Sequence, residues 1–390
     1  MKPVGPVDQT SRLRVLFLIG MLGPAGAERQ ARYLLTNLPN AGVDVRLGTF
    51  GGYEGELARV SAAGIPIHRL MPRPPGLWPA RLFVQLHGIL WRHRIRIVHT
   101  FLPTFDILGP CLRLVDPSLR VITSRRSLDD YLSWRDLKLL RRTGHLATHI
   151  VGNSQAVLES VSRLEGFQPP QVRIIPNGLE IQAPLTEEER ARARADLGLA
   201  PRAFVVSLPA HFRRGKGHAL IPKIAQVVCR EVPQADFLLV GDMEVNKQYR
   251  EIAATLRRET AALGLADRVR CLGPRLDLRM IHAASDVSIN LSESEGMSNS
   301  LMEAMALGLA AVATAVGGNL EVLTDGADGL HVPRGDAAAS AAALLRLARD
   351  PELRRSLGAA ARNRMIRDYS IERMVARYVD LYREVTGKRL

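Results

Sequence analysis

The chain has 390 residues, with 53 Lys and Arg against 39 Asp and Glu, a formal net charge of +14 with His neutral. That length predicts two or three domains rather than one small core. Hydrophobic residues at 46% and charged residues at 24%, without a long polar tract, exclude disorder over most of the chain. Three widely spaced Cys (Cys111, Cys229 and Cys271), with no CxxC pair, exclude a disulfide scaffold or thiolate zinc cluster and fit a reducing, cytoplasmic compartment.

The positive charge is uneven. Residues 1–180 carry 23 basic and 13 acidic side chains, a net +10, whereas residues 181–390 carry 30 and 26, a net +4. The asymmetry fits an anionic partner, whether a phosphate-bearing substrate, an acidic membrane surface or nucleic acid; an Arg-rich but ordinary surface fits it equally. The apolar burst VLFLIG near the start is too short for a signal-peptide core, and no stretch approaches the ~18 apolar residues that span a bilayer.

In chain order, β-rich runs begin at Leu13, Val43, Ile95, Arg120, Thr148 and Val172. Helix-like runs lie between them near 26–41, 54–63, 78–92, 104–115, 134–144 and 155–166, the rhythm of a parallel sheet covered by helices. The charged segment from Asn177 to about Ala200 interrupts it and reads as a connection. The rhythm restarts with strands from Ala203, Ala235, Arg268, Asp286, Ala310 and Gly329, and helices near 217–230, 246–263, 277–284, 299–308, 319–324 and 336–349. From Ser370 to Tyr382, apolar and aromatic residues at helical spacing predict a closing helix. The expected organisation is a Rossmann-like domain over 1–180, a second over 181–369, and a helix over 370–390 able to pack back on the first.

In such folds ligands meet the carboxyl ends of strands. Four strand-to-helix junctions carry suitable residues. In IGMLGPAGAERQ, Gly23 and Gly26 lead into a helix start suited to phosphate, or form merely a tight turn. In HFRRGKGH, Arg213, Arg214 and Lys216 concentrate charge beside two glycines, which suits a diphosphate or a solvated basic turn. In SESEGMSNSLMEAMALG, a helix beginning near Ser298 aims the N–H groups of Ser298, Asn299 and Ser300 at an anion, while Glu295 and Glu303 offer acceptors to a sugar or ribose diol. The bland alternative is a capped helix with a solvent-facing Glu. The fourth, AVGGNLEV, places two glycines at another helix entrance.

Together GPAGAERQ, VGNSQAV, IIPNG, GKGH, EGMSNSLMEAMALG, VGGNLE and the closing YxxLY helix resemble the retaining glycosyltransferases of family four. The resemblance spans nearly the whole chain and implies an α/β GT-B fold, two facing Rossmann-like domains with parallel sheets. It implies that the second domain holds a nucleoside diphosphate sugar, with a UDP-sugar as the expected donor, and that the first largely determines the acceptor. By resemblance Glu303 would bind the donor ribose, Glu295 the transferred sugar, and Lys216 the departing diphosphate. Arg213 or Arg214 and the backbone at Ser298 and Asn299 would assist Lys216, and Arg275 would lie near the nucleobase.

Two departures stand out. His211 occupies the position where the family carries an Arg ahead of the diphosphate-binding Lys. The first-domain His that many members present to the sugar is replaced by Arg126, or by Arg125 with a one-residue slip, leaving His99 as the surviving imidazole candidate. Arg126 stays protonated, so it would position phosphate rather than act as a general base. With no Asp-x-Asp triplet, no metal or cofactor beyond the donor is expected. The expected partners are a saccharide or lipid-linked saccharide acceptor and an anionic membrane surface at its inner face, touched by the stretch PRPPGLWPARLFVQLHGILWRHRIR, which reads equally as a packed helix. No nucleic-acid module accompanies the charge. The alternatives are a transferase for a small soluble acceptor and a non-catalytic sugar-nucleotide binder.

Overall fold

Nearly uninterrupted apolar runs become the central strands of two parallel sheets, because helices cover both faces of each and leave no wet side. The computed structural model describes residues 13–23, 25–71, 78–128, 132–166 and 172–387. The Pro72–Leu77 part of the proposed membrane-contacting stretch, and Pro24 in the first glycine-containing segment, lie outside them.

The chain divides into two units, Met1–Gly178 with Ile371–Leu390, and Leu179–Ser370. The first holds β1 (Arg14–Leu22), β2 (Asp44–Gly52), β3 (Ile67–Arg69), β4 (Ile97–Phe101), β5 (Arg120–Arg125), β6 (His149–Gly152) and β7 (Val172–Ile174), in the order β3-β2-β1-β4-β5-β6-β7. The second holds β8 (Phe204–Pro209), β9 (Ala235–Val240), β10 (Val269–Cys271), β11 (Val287–Asn290), β12 (Ala310–Thr314) and β13 (Leu330–Val332), in the order β10-β9-β8-β11-β12-β13. Every pairing is parallel. Each unit is thus a Rossmann-like sheet, and the fold is of the GT-B type.

Side-chain alternation builds the cores. Val15, Phe17 and Ile19 of β1 join one cluster with Met374, Tyr378 and Tyr382 of the closing helix Ile371–Thr386. Leu16 and Leu18 join another on the opposite face with Leu82 and Leu86. At the last residue of the first segment, the buried Gln30 amide donates to the Gly178 carbonyl and accepts the Gly178 N–H, both at 2.9 Å.

Three elements differ from the sequence reading. The charged run read as a connection is the helix Glu187–Asp196, started by a reciprocal capping box between Thr186 and Glu189. Pro351–Asp368 is a further helix, opened by an Asp350 cap, and its Leu357, Ala361 and Met365 are buried at four-residue spacing. β3 is only three residues long, too short to leave an apolar run. No helix among the described residues is long and apolar enough to cross a membrane.

Candidate functional site

Strand order reverses between β1 and β4 and between β8 and β11, so the carboxyl ends of these pairs are the switch points where such sheets take ligands. In the second unit β8 runs into the loop bearing Lys216, and β11 into the loop bearing Glu295. The Lys216 ammonium donates to Glu295 Oε1, joined there by Ser292 Oγ at 2.8 Å and Asn290 Nδ2 at 3.4 Å. Both charged side chains keep some exposure, 15% for Lys216 and 11% for Glu295, so the pair is within reach of solvent rather than sealed in the core.

Backbone contacts fix the two loops against each other. Glu293 N–H donates to the Gly215 carbonyl at 2.8 Å. Gly217 has φ +77°, and a Cβ there would lie 2.4 Å from the Leu291 carbonyl oxygen, so the neighbour of Lys216 must be glycine. Behind Glu295, Gly318 N–H donates to the Glu295 carbonyl at 2.9 Å, and a Cβ on Gly318 would fall 1.8 Å from the Gly296 oxygen.

A polar network orients the acidic loop. Asn290 Nδ2 donates to Ser298 Oγ at 2.9 Å, and Asn290 Oδ1 accepts from Asn319 Nδ2 at 3.2 Å. Thr314 Oγ1 donates to the Ser292 carbonyl at 2.6 Å. Ser298 caps the helix Asn299–Ala306 by accepting the Leu301 N–H, and Glu303 stands half-buried on that helix. Asn290, Ser292, Thr314 and Asn319 escape sequence reasoning, although a polar residue closing the apolar run DVSIN was a signal for Asn290.

The other basic candidates differ in commitment. Arg213 and Arg214 are exposed on the Lys216 loop. His211, standing where the resemblance expects Arg, accepts the Asp242 N–H on Nδ1 at 3.2 Å. Arg275, beyond β10, is held bidentately by Asp277 at 2.8 and 2.6 Å. His218 stacks on Phe212 with ring centroids 4.2 Å apart, and burial lowers its pKa to about 4, so it is a neutral core residue.

In the first unit, Gly23 follows β1 and lies against the Tyr53 ring, and Gly26 opens the helix Gly26–Asn37, whose Ala25 cap supplies no side-chain hydrogen bond. Arg125 and Arg126 have separate tasks. Arg125 is buried, bidentate on Glu165 at 3.0 and 2.9 Å and paired with Asp106 at 2.7 Å. Arg126 donates to the Asn177 side chain at 3.1 Å, the Ile175 carbonyl at 3.2 Å and the Tyr378 hydroxyl, with Phe101 beneath its guanidinium at 5.2 Å. Together with Leu102, Ser124 and Ser127 it lines a small cavity. Burial lowers its pKa, yet guanidinium remains cationic. Tyr378 and Asn177 were missed because nothing local to Arg126 announces partners so distant in sequence.

His99 corrects the sequence expectation. It is the third residue of β4, completely buried, with Nδ1 bonded to Tyr382 Oη at 2.6 Å and Nε2 to Ser124 Oγ at 2.8 Å. Burial, then the Arg126 charge, hold its pKa well below 6.5. A neutral imidazole with both nitrogens engaged inside a sheet ties β4 to β5 and to the closing helix. Among the described residues, no group of three or more His, Cys, Asp or Glu is arranged to hold a metal ion.

Two family models match the chain: "Glycosyltransferase Family 4" over residues 24–183 and "Glycosyl transferases group 1" over residues 189–364. The chain belongs to these GT-B glycosyltransferase families. Among its relatives, the N-acetyl-alpha-D-glucosaminyl L-malate synthase of Bacillus anthracis is 28% identical over 51% of this chain and 50% of its own. The UDP-Gal:alpha-D-GlcNAc-diphosphoundecaprenol alpha-1,3-galactosyltransferase of Escherichia coli is 24% identical over 77% of this chain and 78% of its own. The chain thus spans only half the length of the Bacillus anthracis relative. The structure of Anabaena HepE in complex with UDP superposes with a TM-score of 0.84 at 19% identity, over 95% of this chain and 100% of HepE.

Proposed function

We propose that the protein is a retaining glycosyltransferase that moves a sugar from a nucleoside diphosphate sugar, a UDP-sugar, to a glycan or lipid-linked saccharide in cell-surface polysaccharide synthesis. The observation that carries this reading is the convergence of Lys216 and Glu295 at the β8/β11 switch point. The UDP in the HepE complex and the UDP-Gal in the name of the Escherichia coli relative support the donor base. The diphosphoundecaprenol-linked sugar in that same name supports a lipid-linked acceptor.

On this reading Lys216 leaves Glu295 for the donor diphosphate and neutralises it as the bond from the sugar to phosphate oxygen breaks, with Arg213 or Arg214 assisting. The backbone at Ser298 and Asn299 faces the same phosphates. Glu295, relieved of Lys216, accepts from hydroxyls of the transferred sugar, and Glu303 accepts from the ribose. Arg275 reaches the nucleobase side only by releasing Asp277. The acceptor hydroxyl attacks the sugar face from which the diphosphate departs, so configuration is retained without a protein nucleophile and without an essential metal. In the first unit Arg126 positions phosphate, with the backbone at Gly23 and Gly26 contributing N–H groups.

The acceptor is reached at the inner face of the cell membrane, where the protein binds peripherally from the cytoplasm. Supporting this, Val84 and Trp91 of the helix Trp78–Arg92 are 74% and 84% exposed, and Trp134 is 68% exposed beside Arg135. The test is mass spectrometry of the purified protein with UDP-, GDP- and ADP-sugars, with and without bacterial lipid extract. Donor loss coupled to a new lipid-linked glycoside supports the reading. Glycosylation of soluble acceptors alone favours the small-acceptor alternative, and absence of donor binding removes the enzyme claim.

A further inference from the structure

A second charged cavity lies at the opposite end of β11 from Glu295. Asp286 immediately precedes that strand and Asn290 closes it, a separation of about 13 Å along an extended chain. The cavity measures about 590 Å³, within the range of small-molecule sites. Its charged lining is Arg190, Arg194, Arg354 and Arg355 against Asp286 and Glu187, a surplus of two positive charges.

Asp286 cannot neutralise this wall. Its carboxylate lies 3.2 Å from Arg190, 2.8 Å from Arg194 and 3.7 Å from Arg354, and also accepts the Val205 N–H at 2.9 Å. Arg194 is committed as scaffold, donating to the Ala284 and Pro201 carbonyls as well. Arg354 is tethered by the Leu347 carbonyl at 2.7 Å and lies over Phe204 at 5.5 Å, too far from Asp286 for a direct hydrogen bond. Burial lowers its pKa; Asp286 opposes that shift, while Arg190, Arg194 and Arg355 reinforce it. Arg355 is exposed on the next helical position. Several guanidiniums held around a hollow by one carboxylate form a preorganised anion receptor, since Arg forks match phosphate oxygens bidentately.

We propose that this cavity binds a phosphate-bearing ligand, a free phosphorylated small molecule or an anionic lipid headgroup, through Arg190, Arg354 and Arg355, at a site separate from the proposed donor site.

The test is calorimetric titration of inorganic pyrophosphate into the wild type, Lys216→Ala, Arg355→Ala and the double variant, with melting curves confirming that each is folded. The proposal predicts an event that survives Lys216→Ala and weakens about ten-fold or more in Arg355→Ala. Loss of all binding in Lys216→Ala, or residual binding indifferent to Arg355→Ala, overturns it. Binding insensitive to Lys216→Ala but sensitive to Arg355→Ala leaves the cavity standing while removing the donor assignment. Sedimentation with phosphatidylglycerol against phosphatidylcholine vesicles separates the two sources. Capture lost in Arg355→Ala assigns a lipid headgroup, and Arg355-dependent pyrophosphate binding without capture assigns a soluble phosphate.

Discussion

Lys216 and Glu295, 79 residues apart, meet as an ion pair at the carboxyl ends of adjacent strands β8 and β11. On the proposed function the pair holds two charges that donor binding would separate, each positioned by its own loop. Lys216→Ala is therefore expected to reduce turnover by about 10²-fold or more and to weaken UDP binding. Glu295→Gln, which keeps an acceptor oxygen but loses the charge, should spare UDP affinity while lowering kcat with the sugar donor. Steady-state kinetics beside UDP calorimetry check both. Equal loss of UDP affinity in the two variants contradicts the division of labour.

Gly318 tests the backing of that loop without touching a charged group. A Cβ placed 1.8 Å from the Gly296 oxygen forces the backbones apart and breaks the Gly318 N–H bond to Glu295. Gly318→Ala should cost about 1–3 kcal/mol of stability and reduce donor turnover more than that loss explains. Denaturant midpoints and kinetics on the same preparation give the comparison.

Arg126 and Tyr378 form the corresponding test in the first unit. Arg126→Ala should impair turnover or acceptor use, leaving UDP affinity unchanged. Tyr378→Phe removes one hydroxyl and leaves Asn177 and Ile175 holding the guanidinium, so its effect should be smaller in the same direction. Combined with Arg126→Ala it should add little, because both act through one group. Full additivity in a double-mutant cycle contradicts the positioning role of Tyr378.

His282 predicts an acid sensitivity. It is completely buried on the helix Leu278–Ala284, and among the described residues neither ring nitrogen has a hydrogen-bond partner. Burial lowers its pKa to about 4 from 6.5, so between these values the unfolded chain binds more protons than the folded one. Stability therefore falls as pH drops from about 6.5 towards 4, by about 3 kcal/mol from this group. His282→Leu should shrink the difference in melting temperature between about pH 7 and about pH 4.5, leaving the parts due to His218 and His99, whose pKa values burial also lowers. An unchanged difference contradicts this assignment.

Much of this architecture was legible because parallel strands buried on both faces must read as apolar runs, as FVVSLP and ADFLLV do. That Lys216, Glu295 and Glu303 stand at strand-to-helix junctions was legible because their segments are rich in glycine and serine. His99 was misread because its burial is decided by Tyr378 and Tyr382, nearly three hundred residues away, whose hydroxyls and rings enclose it. The choice between Arg125 and Arg126 was likewise closed to local reading, since Glu165 and Asp106 claim the first and Tyr378 the second. The helix Glu187–Asp196 was hidden by its charge although its Thr186–Glu189 capping box was in plain sight.

The most direct test of the donor site is calorimetric titration of UDP into the wild type, Lys216→Ala and Glu303→Ala. Saturable binding that weakens about ten-fold or more in each variant, with folding intact, is the predicted result. No binding to the wild type, or equal affinity in all three proteins, would contradict the assignment of these residues to a nucleoside diphosphate.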